Sequence, residues 1–181
     1  MRKLKNEELG RKSVDEYRSG NKMPVVVVLD DVRSMHNIGS VFRTSDAFMV
    51  EKILLCGITA QPPHREITKS ALGATESVEW KYYVNVVDAI NELKNSGYKI
   101  LCIEQAEGSV ELADFIPENE QKYAVIFGNE VNGVSQSVVD LCDYCLEIPQ
   151  FGTKHSFNIS VTAGIVSVSY THLTLPTNRE V

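Results

Sequence analysis

The residues best suited to chemistry lie in short polar segments at the two ends of the chain's apolar body. Near the start runs His36-Asn37-Ile38-Gly39-Ser40-Val41-Phe42-Arg43-Thr44. Later come Phe127-Gly128-Asn129-Glu130-Val131-Asn132-Gly133, Ile148-Pro149-Gln150-Phe151-Gly152 and Ser156-Phe157-Asn158-Ile159-Ser160-Val161. Amide, guanidinium, carboxylate and hydroxyl groups of this kind can align a polar substrate and stabilise negative charge as it develops. Glycines beside them let a ligand approach the backbone closely. The Gly128–Gly133 spacing mimics the phosphate-binding G-x-x-x-x-G, but Val134 and Ser135 follow where that motif needs lysine and a hydroxyl residue. A nucleoside triphosphatase therefore lacks its phosphate-holding lysine. No G-x-G-x-x-G occurs, which leaves a standard dinucleotide site unsupported. Cys142-Asp143-Tyr144-Cys145 has C-x-x-C spacing, yet Cys56 and Cys102 fall inside expected strands and make poor partners. No metal is implied, and Cys145 is expected to face the core as a small apolar residue.

These segments need a scaffold to hold them. Residues 25–29 form a continuous β-branched run, the pattern of a strand buried on both faces. A helix is expected over 38–48, where Val41, Phe42 and Ser45 have helical spacing. Further strands are expected over 52–56, 78–83, 99–103, 123–127 and 144–148. Helices are expected over 67–72, over 86–95 with Gly97 in the C-cap region, over 135–141 and over 158–166. Residues 1–22 read as one short charged helix, with capping-box spacing at Ser13-Val14-Asp15-Glu16. Strands alternating with helices imply an α/β fold, a mostly parallel sheet with helices on both faces. Ligands of such sheets sit in the loops at the strand ends, where the polar segments fall.

With 181 residues and 43% hydrophobic content, the chain suits one well-cored domain. No apolar run approaches the ~20 residues of a membrane span, and Met1-Arg2-Lys3-Leu4-Lys5-Asn6-Glu7-Glu8 has no secretory h-region. Four scattered cysteines fit a reducing, cytoplasmic setting rather than a disulfide scaffold. The net charge of −6 argues against a broad nucleic-acid surface. Basic residues nevertheless cluster: Arg2, Lys3, Lys5, Arg11, Lys12, Arg18 and Lys22 crowd the first segment, and His64, Arg65 and Lys69 stand together later. The first cluster reads either as a solvated charged helix or as a localised contact for an anionic partner.

The order and content of the polar segments resemble the SpoU (TrmH-like) branch of the SPOUT RNA methyltransferases, over roughly residues 24–166. Asn37, Gly39 and Arg43 stand where that family has its first motif. The segments at 127–133, 148–152 and 156–161 follow at the family's spacing. The resemblance implies transfer of a methyl group from S-adenosylmethionine (SAM) to a ribose 2′-hydroxyl of tRNA or rRNA, a carboxyl-terminal trefoil knot, and a homodimer whose catalytic surfaces meet at the interface. It implies a catalytic domain over 23–166 behind a basic extension over 1–22. It implies a catalytic set of Asn37, Arg43, Glu130, Asn158 and Ser160. SAM would be held, largely by backbone groups, at Phe127, Gly128, Asn129, Gly133, Ile148, Pro149, Ser156 and Phe157. Glu130 would meet the cofactor's amine or steady Arg43. Lys3, Lys5, Arg11, Lys12, Arg65 and Lys69 would face RNA. Arg43 would act either as a base or by stabilising the alkoxide, and guanidinium chemistry favours the second role because the group keeps its proton. Two other classes stay open: a non-catalytic RNA-binding or ribosome-assembly protein on the same fold, and an unrelated Rossmann-type nucleotide enzyme.

The tail departs from the family. After Ile165 the period shifts toward alternation, Ser and Thr replace helix formers, and Pro176 forbids a regular continuation. The closing Ser-Tyr-Thr-His-Leu-Thr-Leu-Pro-Thr looks like translated adapter DNA. Residues 167–181 are thus expected to be atypical, either foreign from about 168 onward or a divergent but genuine tail, with a frayed helix end and a weakened dimer.

Overall fold

The structure, a computed structural model, describes residues 1–174. Its frame is seven parallel strands: β1 (Met23–Asp30), β2 (Val50–Cys56), β3 (Glu79–Tyr83), β4 (Tyr98–Ile103), β5 (Val110–Glu111), β6 (Lys122–Phe127) and β7 (Tyr144–Glu147). They lie in the order β3-β2-β1-β6-β4-β7-β5. In β1, which pairs with β2 and β6, alternate residues serve opposite layers, as the pleat requires. Val25, Val27 and Leu29 join one core cluster; Val26 and Val28 join the other. The continuous valine run is what a central strand covered on both faces needs.

Helices cover each face. On the first lie α1 (Val14–Ser19), α2 (Met35–Ala47), α3 (Arg65–Ala71), α4 (Ala74–Ser77) and α7 (Ile159–Thr174), burying Tyr17, Ile38, Phe42, Ile67, Ala74 and Ala163 among others. On the second lie α5 (Val86–Asn95) and α6 (Gln136–Val139), burying Ile90, Leu93 and Val138. Because β6 is inserted between β1 and β4, the strand order turns at the β1/β6 boundary. The chain leaves β1 toward a helix on one face and leaves β6 toward a helix on the other. An open α/β sheet receives its ligand beyond the carboxyl ends of its strands, near such a turn.

Most expected elements are present within a few residues of their expected bounds. The two-residue β5 carries too little pattern to be read from sequence. Residues 1–22 are not one helix. A 3-10 turn over Asn6–Leu9 is broken from α1 by Gly10, whose φ is +56°, and α1 is capped by the expected Ser13/Glu16 box. Tyr17 pins this extension to the body. It is buried, and its hydroxyl donates toward the Ser45 and Val50 carbonyls at 3.4 and 3.3 Å.

The expectation of a helix ending near residue 166 and fraying after 168 is corrected: α7 runs to Thr174. Ile159, Ala163, Val166, Ser167 and Tyr170 are buried at helical spacing, and the Tyr170 ring meets Tyr123 edge-on at 6.0 Å. The Ser167 and Thr171 hydroxyls donate back to the Ala163 and Ser167 carbonyls at 2.7 and 2.8 Å, so poor helix formers satisfy their polar groups within the helix. Burial of this stripe overrides weak intrinsic propensity. The remainder of the atypical tail, residues 175–181, lies outside the described residues.

Candidate functional site

At the carboxyl ends of β4, β6 and β7 opens a cleft of about 890 Å³, within the size range of small-molecule sites. One wall is the loop after β6. Asn129 and Gly133 close it by exchanging backbone hydrogen bonds of 3.1 and 2.9 Å. The Asn129 side chain accepts the Val131 and Asn132 N–H groups at 2.9 and 3.1 Å and donates to the Asp31 carbonyl at 2.7 Å. Both glycines are required here. A Cβ on Gly128 would overlap the Gly133 backbone, and Gly133 adopts φ +66° with no room for a side chain beside the Glu104 carboxylate.

Glu130 ties this loop to the helix that follows β1. Its Oε2 accepts the Arg33 N–H at 2.9 Å, and its Oε1 accepts the Ser34 N–H at 2.9 Å and the Asn37 amide at 3.1 Å. Ser34 is the N-cap of α2 and accepts the Asn37 N–H. A carboxylate at a helix amino terminus is favoured by the helix dipole as well as by these bonds. Desolvation pushes the Glu130 pKa up, but the hydrogen bonds from Arg33, Ser34 and Asn37 outweigh it and hold the carboxyl below its ordinary value. Asn37, itself buried, passes the connection on. Its Oδ1 accepts the Asn158 amide at 3.1 Å, and Asn158 Oδ1 accepts the Ser160 N–H and hydroxyl at 2.9 and 2.6 Å. Four candidates from three distant segments thus form one chain, Glu130–Asn37–Asn158–Ser160. Both Glu130 oxygens are engaged by the β1–α2 turn and α2, so its contact is with that helix start rather than with Arg43.

Of the candidate cofactor residues, Phe127, Gly128, Asn129, Gly133, Ile148, Ser156 and Phe157 line the cleft, together with Glu130 and Asn158. Pro149, Ser160 and Asn37 are not among the lining residues. Between residues 148 and 157, no backbone N–H donates a hydrogen bond within the chain among the described residues. Those backbone donors are left for solvent or a ligand.

Arg43 stands apart. It is exposed, lines no part of the cleft and has no hydrogen-bond or ion-pair partner among the described residues. It lies one turn beyond Gly39 on the same face of α2. Gly39 packs so closely on α3 that a Cβ would overlap Ser70 and the Ile67 carbonyl. Arg65 and Lys69 are exposed on α3; Lys3, Lys5, Arg11 and Lys12 are exposed on the extension. None of the six lines the cleft.

Two participants escaped the reading of the sequence. Ser34 carried a usable signal, a hydroxyl residue just before the helical period. Glu104, immediately after β4, lines the cleft and accepts the Val134 N–H at 2.9 Å; its signal was an acidic residue at the carboxyl end of an expected parallel strand. Among the described residues, no group of three or more His, Cys, Asp or Glu is placed to hold a metal, and no helix is long and apolar enough to cross a membrane.

Comparison with known proteins gives the site its context. Residues 24–168 match the model of the SpoU rRNA Methylase family. A Staphylococcus haemolyticus protein that bears the name of a TrmH family tRNA/rRNA methyltransferase is 31% identical over 153 residues, 84% of this chain and 60% of its own length. A 23S rRNA (guanosine-2′-O-)-methyltransferase of Neisseria meningitidis is 31% identical over 152 residues, again 84% of this chain and 60% of its own. The crystal structure of an AdoMet-bound rRNA methyltransferase from Sinorhizobium meliloti superposes with a TM-score of 0.78 at 26% identity, covering 92% of this chain and 62% of that one. The chain therefore spans about three fifths of the length of these relatives.

Proposed function

The chain belongs to the SpoU rRNA Methylase family, and from that premise we propose that it binds SAM in the cleft at the carboxyl ends of β4, β6 and β7 and methylates a ribose 2′-hydroxyl of tRNA or rRNA. The observation that carries the reading is the hydrogen-bonded chain Glu130–Asn37–Asn158–Ser160, which joins three of the four motif-bearing segments beside one cleft. The residues present fit a nucleoside cofactor. The cleft has the volume, residues 148–157 supply unpaired backbone donors, and Glu104 supplies acceptors. The likeness to an AdoMet-bound structure supports the same cofactor. When bound, SAM supplies an electrophilic methyl group.

The remaining work falls to this chain's own residues. Glu130, Asn37 and Asn158 fix the loops that line the cleft and the start of α2, so the ligand meets a prearranged wall; alignment of this kind contributes up to about 7–11 kcal/mol. Arg43 stabilises the ribose oxygen as its proton leaves, donating from the planar fork of a guanidinium that stays protonated. A neighbouring RNA phosphate receives that proton. Arg43 lies outside the cleft of its own chain, which supports a homodimer in which each Arg43 serves the partner's cleft. Val161 and Val168, 51% and 39% exposed on α7, offer an apolar stripe for such a contact. A trefoil knot belongs to the same reading, supported by the packing of α7 on α2 after the chain has passed through β6 and β7. The basic residues of the extension and of α3 supply RNA contacts.

Calorimetry with SAM tests the cofactor. Micromolar binding that is abolished by Gly128→Val in a folded protein supports the reading; binding of NAD or ATP in its place would favour an unrelated nucleotide enzyme. Binding of RNA without SAM would favour a non-catalytic role.

A further inference from the structure

Glu104 is not needed for the chain of contacts that joins the motifs, yet it lies on the wall of the cleft. It stands one residue past β4, the strand next to β6, and is half-buried. Its Oε1 accepts the Gln105 N–H and its Oε2 accepts the Val134 N–H, each at 2.9 Å. Both donors are neutral backbone groups, and Glu104 belongs to none of the ion pairs among the described residues. A carboxylate has about four acceptor sites. One site on each oxygen is taken by the backbone, so each oxygen keeps one.

Glu104 is only half-buried and lines the cleft, so its carboxylate borders the ligand space. Gly133 packs so closely on Oε2 that a Cβ there would overlap that oxygen, so only glycine lets the carboxylate sit in this place. Two acceptor oxygens on one rigidly held carboxylate match a ligand with two adjacent hydroxyl donors. In dinucleotide-binding open α/β folds, an acidic residue about 20 positions after the glycine-rich turn accepts the ribose 2′-hydroxyl.

We propose that Glu104 binds the cofactor's ribose, its two carboxylate oxygens accepting the 2′- and 3′-hydroxyls. This inference rests on the SAM reading above. It assigns Glu104 two tasks, holding the Asn129–Gly133 loop through the Val134 N–H and holding the ligand through its free acceptor sites. The tasks separate experimentally, because only the second depends on hydroxyls of the ligand.

The test is calorimetric titration of the wild-type chain and Glu104→Gln with S-adenosylhomocysteine and with its 2′-deoxy and 3′-deoxy analogues. The wild type should bind the parent compound about tenfold or more tighter than either analogue, the scale of hydrogen bonds to a charged acceptor. In Glu104→Gln that preference should shrink to about twofold or less for at least one of the two hydroxyls, because the amide offers one acceptor oxygen where the carboxylate offered two. Glu104→Asp, which keeps the charge but withdraws it by one methylene, should lose the preference as well, and it carries the same comparison if the glutamine variant does not fold. An equal loss of affinity for all three ligands would assign Glu104 to the loop or to the amine of the ligand and overturn the proposal. So would a hydroxyl preference that survives both substitutions. If the wild type binds none of the compounds, the SAM reading itself fails, and the ribose assignment falls with it.

Discussion

Replacing Asp30 with asparagine should stabilise the protein, increasingly so as pH rises. Asp30 closes β1 and is only 9% exposed, with the peptide of Asp31 beside it serving as an anchor for the cleft loop. Burial, reinforced by the neighbouring Asp31 charge, pushes its carboxyl up from an ordinary 3.8 to about 6. The folded state therefore holds the Asp30 proton more tightly than the unfolded chain does. Stability then falls as pH rises from about 4 to about 6, and the cost is present in full above that window. A shift of about two units at 1.36 kcal/mol each amounts to about 3 kcal/mol. An amide of the same shape avoids that cost. The advantage of Asp30→Asn should grow from well under ~1 kcal/mol at pH 4 to about 3 kcal/mol at pH 7.5, or about 6–12 °C in melting temperature for a chain of this size. Urea unfolding of both proteins across that range measures the difference directly, and titrations elsewhere in the molecule cancel in the comparison. Parallel pH profiles, or a variant less stable than wild type at pH 7.5, would refute the claim that Asp30 is ionised at a cost.

Three further outcomes follow from the site. Gly128→Val should abolish SAM binding with the circular dichroism of the sheet retained, because the side chain collides with the Gly133 backbone inside the loop; wild-type affinity in that variant would misplace the cofactor. Arg43→Ala should leave SAM affinity within about twofold and remove methyl transfer, and Arg43→Lys should fail too for want of the planar fork; a tritium-transfer assay showing substantial turnover by either variant removes Arg43 from the chemistry. Neutralising Lys3, Lys5, Arg11 and Lys12 together should weaken RNA binding and flatten its dependence on salt; an unchanged slope of log affinity against log salt means the extension is only solvated.

The fold was legible where one local signal dominated. The valine run of β1 could only be a doubly covered strand, and α5 carried its amphipathic period and its stop at Gly97 in plain view. The site was legible as a set of motifs, and Glu130, Asn37, Asn158 and Ser160 do converge. What their side chains do to one another was not legible, because it depends on contacts between residues about 90 to 120 positions apart. Glu130 illustrates this: its type suggested a ligand or an arginine partner, while three donors of the β1–α2 turn and α2 claim it. Glu104 stayed hidden because a single acidic residue after a strand has no motif around it. The end of α7 was not legible because Ser and Thr are poor helix formers by propensity, whereas the burial of Tyr170 against Tyr123 decides.

The central claim is methylation of an RNA ribose, and the most direct measurement is mass spectrometry of nucleosides after incubating the protein with SAM and unmodified tRNA or rRNA. A methyl group should appear on the ribose fragment of one nucleoside, rendering the adjoining phosphodiester resistant to alkaline cleavage, and it should be absent with Arg43→Ala. Methylation found on a base, or none on either RNA class in a preparation that binds SAM, would contradict the proposed reaction.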